Sequence, residues 1–107
     1  MKKTKKIMVF VTVPDRKTAN KIVRALLAKK LAACASISKS IDSFYWWKNK
    51  IENSKELLLT IKTAKGNFAG LEKCVKSLHP YEVPEIIAVD ISCGSKEYLE
   101  WIDEYAG

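Results

Sequence analysis

The run IMVFVTV at 7–13 carries apolar side chains on both of its alternating faces, with Ile7, Val9 and Val11 on one and Met8 and Phe10 on the other. A strand of this kind belongs in the middle of a sheet that is covered on both sides. Few folds give a chain of 107 residues such a place. That length fits one domain burying roughly two-thirds of its unfolded surface. A hydrophobic content of 48% with 29% charged residues is globular rather than disordered composition.

The elements after this strand can be read in order. Asp15 stands where it can cap a helix, and Ala19, Ile22, Val23, Leu26 and Leu27 follow helical spacing. Lys29 and Lys30 suit the negative end of that helix. Cys34–Trp47 has strand character and ends in the aromatic block FYWW at 44–47. Lys48-Asn49-Lys50 reads as a turn, and Ile51–Thr63 returns as a strand with Leu57, Leu59 and Ile61 on one face. Asn67 is placed to cap a second helix carrying Phe68, Leu71, Cys74, Val75 and Leu78. Pro80 stops it at His79. Glu85–Ile91 is a fourth strand, and Ser95 opens a last helix with Tyr98, Trp101, Ile102 and Tyr105 on one face.

The order βαββαβ plus a C-terminal helix is an α+β arrangement. It predicts a ferredoxin-like antiparallel sheet with two helices on one face and a long hairpin between the second and third strands. The helix-free face is apolar too, since the first strand carries Met8 and Phe10 behind Ile7, Val9 and Val11 and the fourth carries Ile86 and Ala88 opposite Ile87, Val89 and Ile91. A second cover is needed there: the short final helix can supply part of it, and copies of the same chain are the economical source of the rest. The hairpin tip, with Phe44, Tyr45, Trp46 and Trp47 on both faces, predicts the same association.

Four of the positive charges that make the net charge +7 lie in MKKTKK, so residues 1–6 are read as a basic tail and 7–107 as the domain. IMVFVTV is short for an export signal, and Pro14-Asp15-Arg16 follows it in place of a cleavage site. No stretch has the length of a membrane span. Cys34, Cys74 and Cys93 form no CxxC pair and no disulfide framework, so reduced thiols in a cytoplasmic protein are expected. The basic balance raises nucleic acid as a partner, but LLLTIKT stands where an RNA-binding sheet carries its aromatic run, and nucleic acid is not expected.

The segments KLAACASI, FYWWKNKIE, LLLTIKT and above all LHPYEVPEIIAV resemble the CutA family of divalent-cation tolerance proteins. The resemblance runs from about Ile7 to Trp101. It implies a ferredoxin-like fold, a homotrimer whose sheets extend across subunits, a link to copper and other divalent metals, and an architecture similar to the PII signalling trimers. A PII-like small-ligand role is therefore the alternative reading. The chain departs from the family pattern at Lys39-Ser40, where Pro-Gly is common, and at the basic turn 48–50. Val11, Leu78 and His79 occupy the positions where some members carry a cysteine and two histidines for copper. Only His79 retains a ligating side chain.

His79 is the one histidine. It is either a brace, bonded to a carbonyl or carboxylate at the helix end, or a metal ligand. Cys93, beside Gly94, is the reachable thiol, whereas Cys34 and Cys74 are expected to be buried. Trp47, Lys50, Lys62, Tyr81, Glu82 and Glu85 form a candidate polar and aromatic cleft, for a ligand or between subunits. Glu82 and Glu85 can pair with Lys50 or Lys62. No nucleophile elbow, phosphate loop or HExxH motif is present. The expected role is non-enzymatic, with copper or another divalent cation as the possible ligand and no organic cofactor.

Overall fold

The computed structural model describes residues 4–107, so Lys2 and Lys3 of the expected tail lie outside the described residues. β1 (Lys6–Val13) does take the central place its two apolar faces require. It pairs antiparallel with β4 (Lys50–Ala64) from Lys6↔Ala64 to Val13↔Leu57, and with β5 (Ile86–Asp90) from Ile7↔Asp90 to Val11↔Ile86. β2 (Cys34–Ile37) flanks β4 on its other side, giving the order β2-β4-β1-β5. β3 (Ile41–Trp47) pairs with the outer half of β4 as a ribbon beyond the main sheet.

The core lies on one face. Val9, Val11 and Val13 of β1 and Leu59 and Ile61 of β4 point there and are fully buried. They meet Ile22 and Leu26 of α1 (Arg16–Ala28) and Leu71 and Val75 of α2 (Phe68–Leu78). Cys74 belongs to this core as expected, whereas Cys34 is only half-buried and Cys93 is exposed. The other face carries Met8, Phe10, Lys62, Ile87 and Val89 by the same alternation.

Local chemistry sets the boundaries. Asp15 accepts a hydrogen bond from the Thr18 N–H at 2.8 Å, so α1 begins as the sequence predicts. Its end is a Schellman turn: Leu31 N–H bonds to the Leu26 carbonyl and Lys30 N–H to that of Leu27. Lys30 therefore sits at φ 56°, a conformation that usually selects glycine. The hairpin tip has φ of 50° at Lys48 and 65° at Asn49, the signature of a two-residue type I′ turn.

Three expectations are corrected. The predicted strand Cys34–Trp47 is two strands, because Ile37 pairs with Leu59 while Ile41 pairs with Glu56. Four steps on one side thus face three on the other, which is a bulge. Ser38 secures it without Pro-Gly: its N–H bonds to the Leu58 carbonyl, and its hydroxyl accepts from the Leu58 N–H at 2.8 Å. Asn67 does not cap α2. Its side-chain amide donates instead to the Ala106 carbonyl at 2.6 Å and to Thr63 at 3.0 Å, tying the chain end to the sheet. In α3 (Lys96–Ala106), which Ser95 caps as expected, only Ile102 of the predicted apolar face is buried. Tyr98, Trp101 and Tyr105 stack outside it, with ring centroids 5.5 and 5.7 Å apart.

Lys6 also departs from the tail assigned to 1–6. It opens β1, and its ammonium lies 2.8 Å from Asp103 of α3, with side-chain exposures of 9% and 4%. Burial alone would raise the Asp103 carboxyl, but hydrogen bonds from Lys6 and Thr4 outweigh it and hold the group below the usual carboxylate range. α3 is thereby fixed over the Lys6–Ala64 end of the second face. Asp103→Ala leaves a buried ammonium uncompensated and is expected to cost about 3–5 kcal/mol in chemical denaturation. Because the folded carboxyl is depressed, its contribution is complete above the unfolded carboxylate value of about 4. It is lost as pH falls through the folded value, so the wild-type advantage over Asp103→Ala should shrink in acid.

Candidate functional site

At the end of the second face away from α3, the β3–β4 ribbon and the 79–85 segment enclose a cleft of about 820 Å³. Its walls follow from register. The pairs Trp47↔Lys50, Tyr45↔Glu52, Ser43↔Ser54 and Ile41↔Glu56 place Trp47, Tyr45, Glu52 and Glu56 on one face of the ribbon. Thr12, at the end of β1, and Pro80, Tyr81, Glu82, Val83 and Glu85 close the other side.

His79 holds this second wall in place. Pro80 excludes the helical region for the residue before it, and His79 is extended at φ −86°, ψ 134°. Its Nε2–H donates to the Thr12 carbonyl at 2.7 Å, and its Nδ1 accepts the Tyr81 N–H at 3.1 Å. Both ring nitrogens are therefore used, in the neutral Nε2–H tautomer. The Tyr81 ring lies against the imidazole at 4.6 Å between centroids. The lone histidine is a brace between β1 and the cleft wall, and ligation of copper through it would break one of these two bonds. Among the described residues no three His, Cys, Asp or Glu side chains gather as a metal-binding group. The expected metal positions His79 and Cys93 belong to no such group among the described residues.

Tyr81 carries the brace across the cleft. Its hydroxyl donates to Glu56 Oε2 at 2.7 Å, and Glu56 is 5% exposed. Burial, then the hydrogen bond and charge of Glu56, pushes the phenol well above its ordinary value, so the O–H remains a donor throughout the neutral range. Opposite, the Tyr45 hydroxyl is hydrogen-bonded to that of Ser54 at 3.2 Å.

Of the residues predicted for the cleft, Trp47, Tyr81, Glu82 and Glu85 come together. Lys50 is the cross-strand partner of Trp47 but is not among the lining residues. Lys62 is elsewhere, with its ammonium 5.6 Å from the centre of the Tyr98 ring on α3. Neither lysine pairs with Glu82 or Glu85; the ion pairs of the described residues are Lys6–Asp103, Lys55–Asp42, Lys65–Asp90 and Lys76–Glu72. Glu52 and Glu56 were not among the predicted cleft residues. The signal for them was the alternation itself, since Leu58, Thr60 and Lys62 continue on the same side of β4 as Glu56, Ser54 and Glu52.

Tyr81→Phe removes the only hydrogen bond that the Glu56 carboxylate receives among the described residues. It is expected to cost about 1.5–3 kcal/mol near neutral pH. The folded phenol titrates above its unfolded value of about 10. The stabilisation is therefore complete below that pH and is lost only as pH rises through the folded value, so melts at pH 7 and 9 should show the same deficit.

The model of the CutA1 divalent ion tolerance protein family matches residues 7–105. The divalent-cation tolerance protein CutA of Thermus thermophilus is 43% identical over 100 residues, covering 94% of this chain and 97% of its own. Human protein CutA is 45% identical over 93 residues, covering 87% of this chain, which spans about half the length of that relative (52%). Among solved structures, CutA1 from Oryza sativa superposes with a TM-score of 0.94 at 38% identity, covering 98% of this chain and 96% of that one. The Thermus thermophilus divalent cation tolerance protein superposes at 0.93 with 42% identity, covering 95% and 99%. Sequence and fold agree along nearly the whole chain, and the chain belongs to the CutA1 divalent ion tolerance protein family.

Proposed function

We propose that this chain works as a non-enzymatic ferredoxin-like homotrimer in divalent-cation tolerance, and that the cleft beside Tyr81 is its small-ligand site. The observation that carries the reading is the uncovered second face. Ile87 and Val89 on β5 are 54% and 48% exposed there, and on the opposite face of the ribbon Trp46 and Phe44 are 72% and 70% exposed. An apolar surface of this kind beside an open strand edge calls for a partner. A second copy of the chain supplies matching surface, and the number three follows the family resemblance. Trp46 and Trp47 are then interface residues together with Phe44 and Tyr45. The names of the relatives support the link to divalent cations. The use of the only histidine as a brace supports a binding role over catalysis, and the three free thiols are consistent with a reducing, cytoplasmic setting.

A PII-like signalling role is the second reading, favoured by the size of the cleft, which falls in the range of small-ligand sites. In both readings copper contact, where it occurs, draws on groups from more than one copy and not on the His79 ring. Light scattering coupled to size exclusion is expected to give about three chain masses at micromolar concentration. A stable monomer would refute the assembly. A copper titration of the wild type and of His79→Ala should return the same affinity, while the variant melts at lower temperature. Loss of copper binding with stability unchanged would instead make the imidazole a ligand.

A further inference from the structure

We propose that the outward face of α1 and α2 docks on a nucleic-acid duplex, held by its phosphates without regard to base sequence. This face is separate from the cleft and from the surfaces assigned to other copies, so it stays open in the proposed assembly. The first observation is where the charge lies. α1 and α2 hold six Lys and Arg against one acid, Glu72. Six less one is +5, most of the +7 of the whole chain. Lys17, Lys21 and Arg24 of α1 and Lys73 and Lys76 of α2 are exposed, and their helical spacing sets them opposite the buried Ile22, Leu26, Leu71 and Val75. Of these five, Lys76 alone has an acid within ion-pair distance among the described residues, Glu72 at 3.1 Å.

The second observation is that these charges work against the helix that carries them. Lys17 and Lys21 are four positions apart and Lys21 and Arg24 three, so like charges are neighbours along the stripe, and such pairs destabilise a helix. Arg16 and Lys17 stand in the first turn of α1, at the positive end of the helix dipole, where an acid is favoured and none is present. Asp15, the cap, is the acid beside that turn. A polyanion laid along the stripe offsets both costs.

The third observation selects the polyanion. The outward positions among the basic ones are Asn20, Ala28, Ala69 and Ser77, which are polar or small. Leu27, the large apolar side chain exposed on α1, lines a hollow with Trp101 and Tyr105 of α3 instead. A bilayer surface takes up Trp, Phe or Leu beside its lysines, and a single strand is held by rings that stack on its bases. The face offers neither. Lys and Arg, with Asn and Ser side chains between them, are the groups that contact duplex phosphates. Packed helices lie about 8–10 Å apart, and α1 and α2 meet where the Lys29 ammonium approaches Cys74 Sγ at 3.9 Å. Their two basic rows thus have the spacing of two phosphate rows across a groove roughly 6–12 Å wide. LLLTIKT, which argues against RNA on the sheet, belongs to β4 and takes no part in this face.

The test is fluorescence anisotropy of a labelled DNA duplex of about 20 base pairs with the full chain, between about 0.05 and 0.2 M salt. The five basic side chains predict saturable binding, with a slope of log affinity against log salt of about −4.5. A duplex of unrelated sequence should bind equally well, and a single strand more weakly. Lys21→Gln with Arg24→Gln should make the slope shallower by about two and weaken binding about tenfold or more, while melting no lower than the wild type. If that variant fails to fold, Lys17→Gln with Lys73→Gln takes its place. Lys48→Asn with Lys96→Gln removes the same charge away from the face and should leave slope and affinity unchanged. No saturable binding at the lowest salt, tighter binding of the single strand, or an equal loss in both double variants overturns the proposal. Retention by phosphatidylserine vesicles through Lys21 and Arg24, with no duplex bound, gives the face to a membrane and also overturns it.

Discussion

Every other element hangs from β1. It is hydrogen-bonded to β4 along its whole length and to β5 along five residues, so removing it would leave two unconnected pieces of sheet. Its odd-numbered side chains fill the helical core and its even-numbered ones face the other way. One strand therefore decides two things at once. It closes the core beneath α1 and α2, and it leaves a second apolar face that a single chain covers only in part.

The two ends of that second face are treated differently. At the Lys6 end α3 is held down by an ion pair and by the Asn67 amide. Both contacts are polar, because the strand there carries Lys6 and not another valine. At the Thr12 end no helix residue lines the cleft. The chain instead brings a rigid turn, the 79–85 segment, across the strand ends, and the overlong ribbon rises opposite it. The bulge at Ser38 is what allows this. By adding one residue on the β2–β3 side it separates the ribbon from the main sheet, so that β3 belongs to the cleft and β2 to the core.

The parts that were legible in the sequence are those fixed by period and by proline. The strand at 7–13, the helices ending at Leu27–Ala28 and at Leu78, and the turn at Lys48-Asn49 depend on residues within a few positions of one another. The missing parts depend on distant partners. Asn67 has the chemistry of a cap, but the Ala106 carbonyl, 39 positions away, wins its amide. Glu56 looks like an exposed charge on a long strand until Tyr81, 25 positions on, is folded against it. Lys62 and Glu85 look like a pair until α3 offers the Tyr98 ring. The resemblance to CutA gave the fold and the place of the HPYEVPE segment, yet not the use to which this chain puts its single imidazole.

That use follows from the prolines on either side. Pro80 forces His79 out of the helix, and the ring that leaves α2 turns back to the Thr12 carbonyl of β1. Because the other ring nitrogen takes the Tyr81 N–H, the backbone of the cleft wall is fixed at its first residue. Pro84 restrains the wall at its far end. Between them the Tyr81 hydroxyl donates to Glu56 on the opposite wall. The cleft is thus spanned by a continuous polar path from β1 to β4 in which each group is oriented by the one before it. A wall built in this way loses little conformational freedom when a ligand enters. The histidine sets where Tyr81, and through it the Glu56 carboxylate, stand without itself lining the cleft.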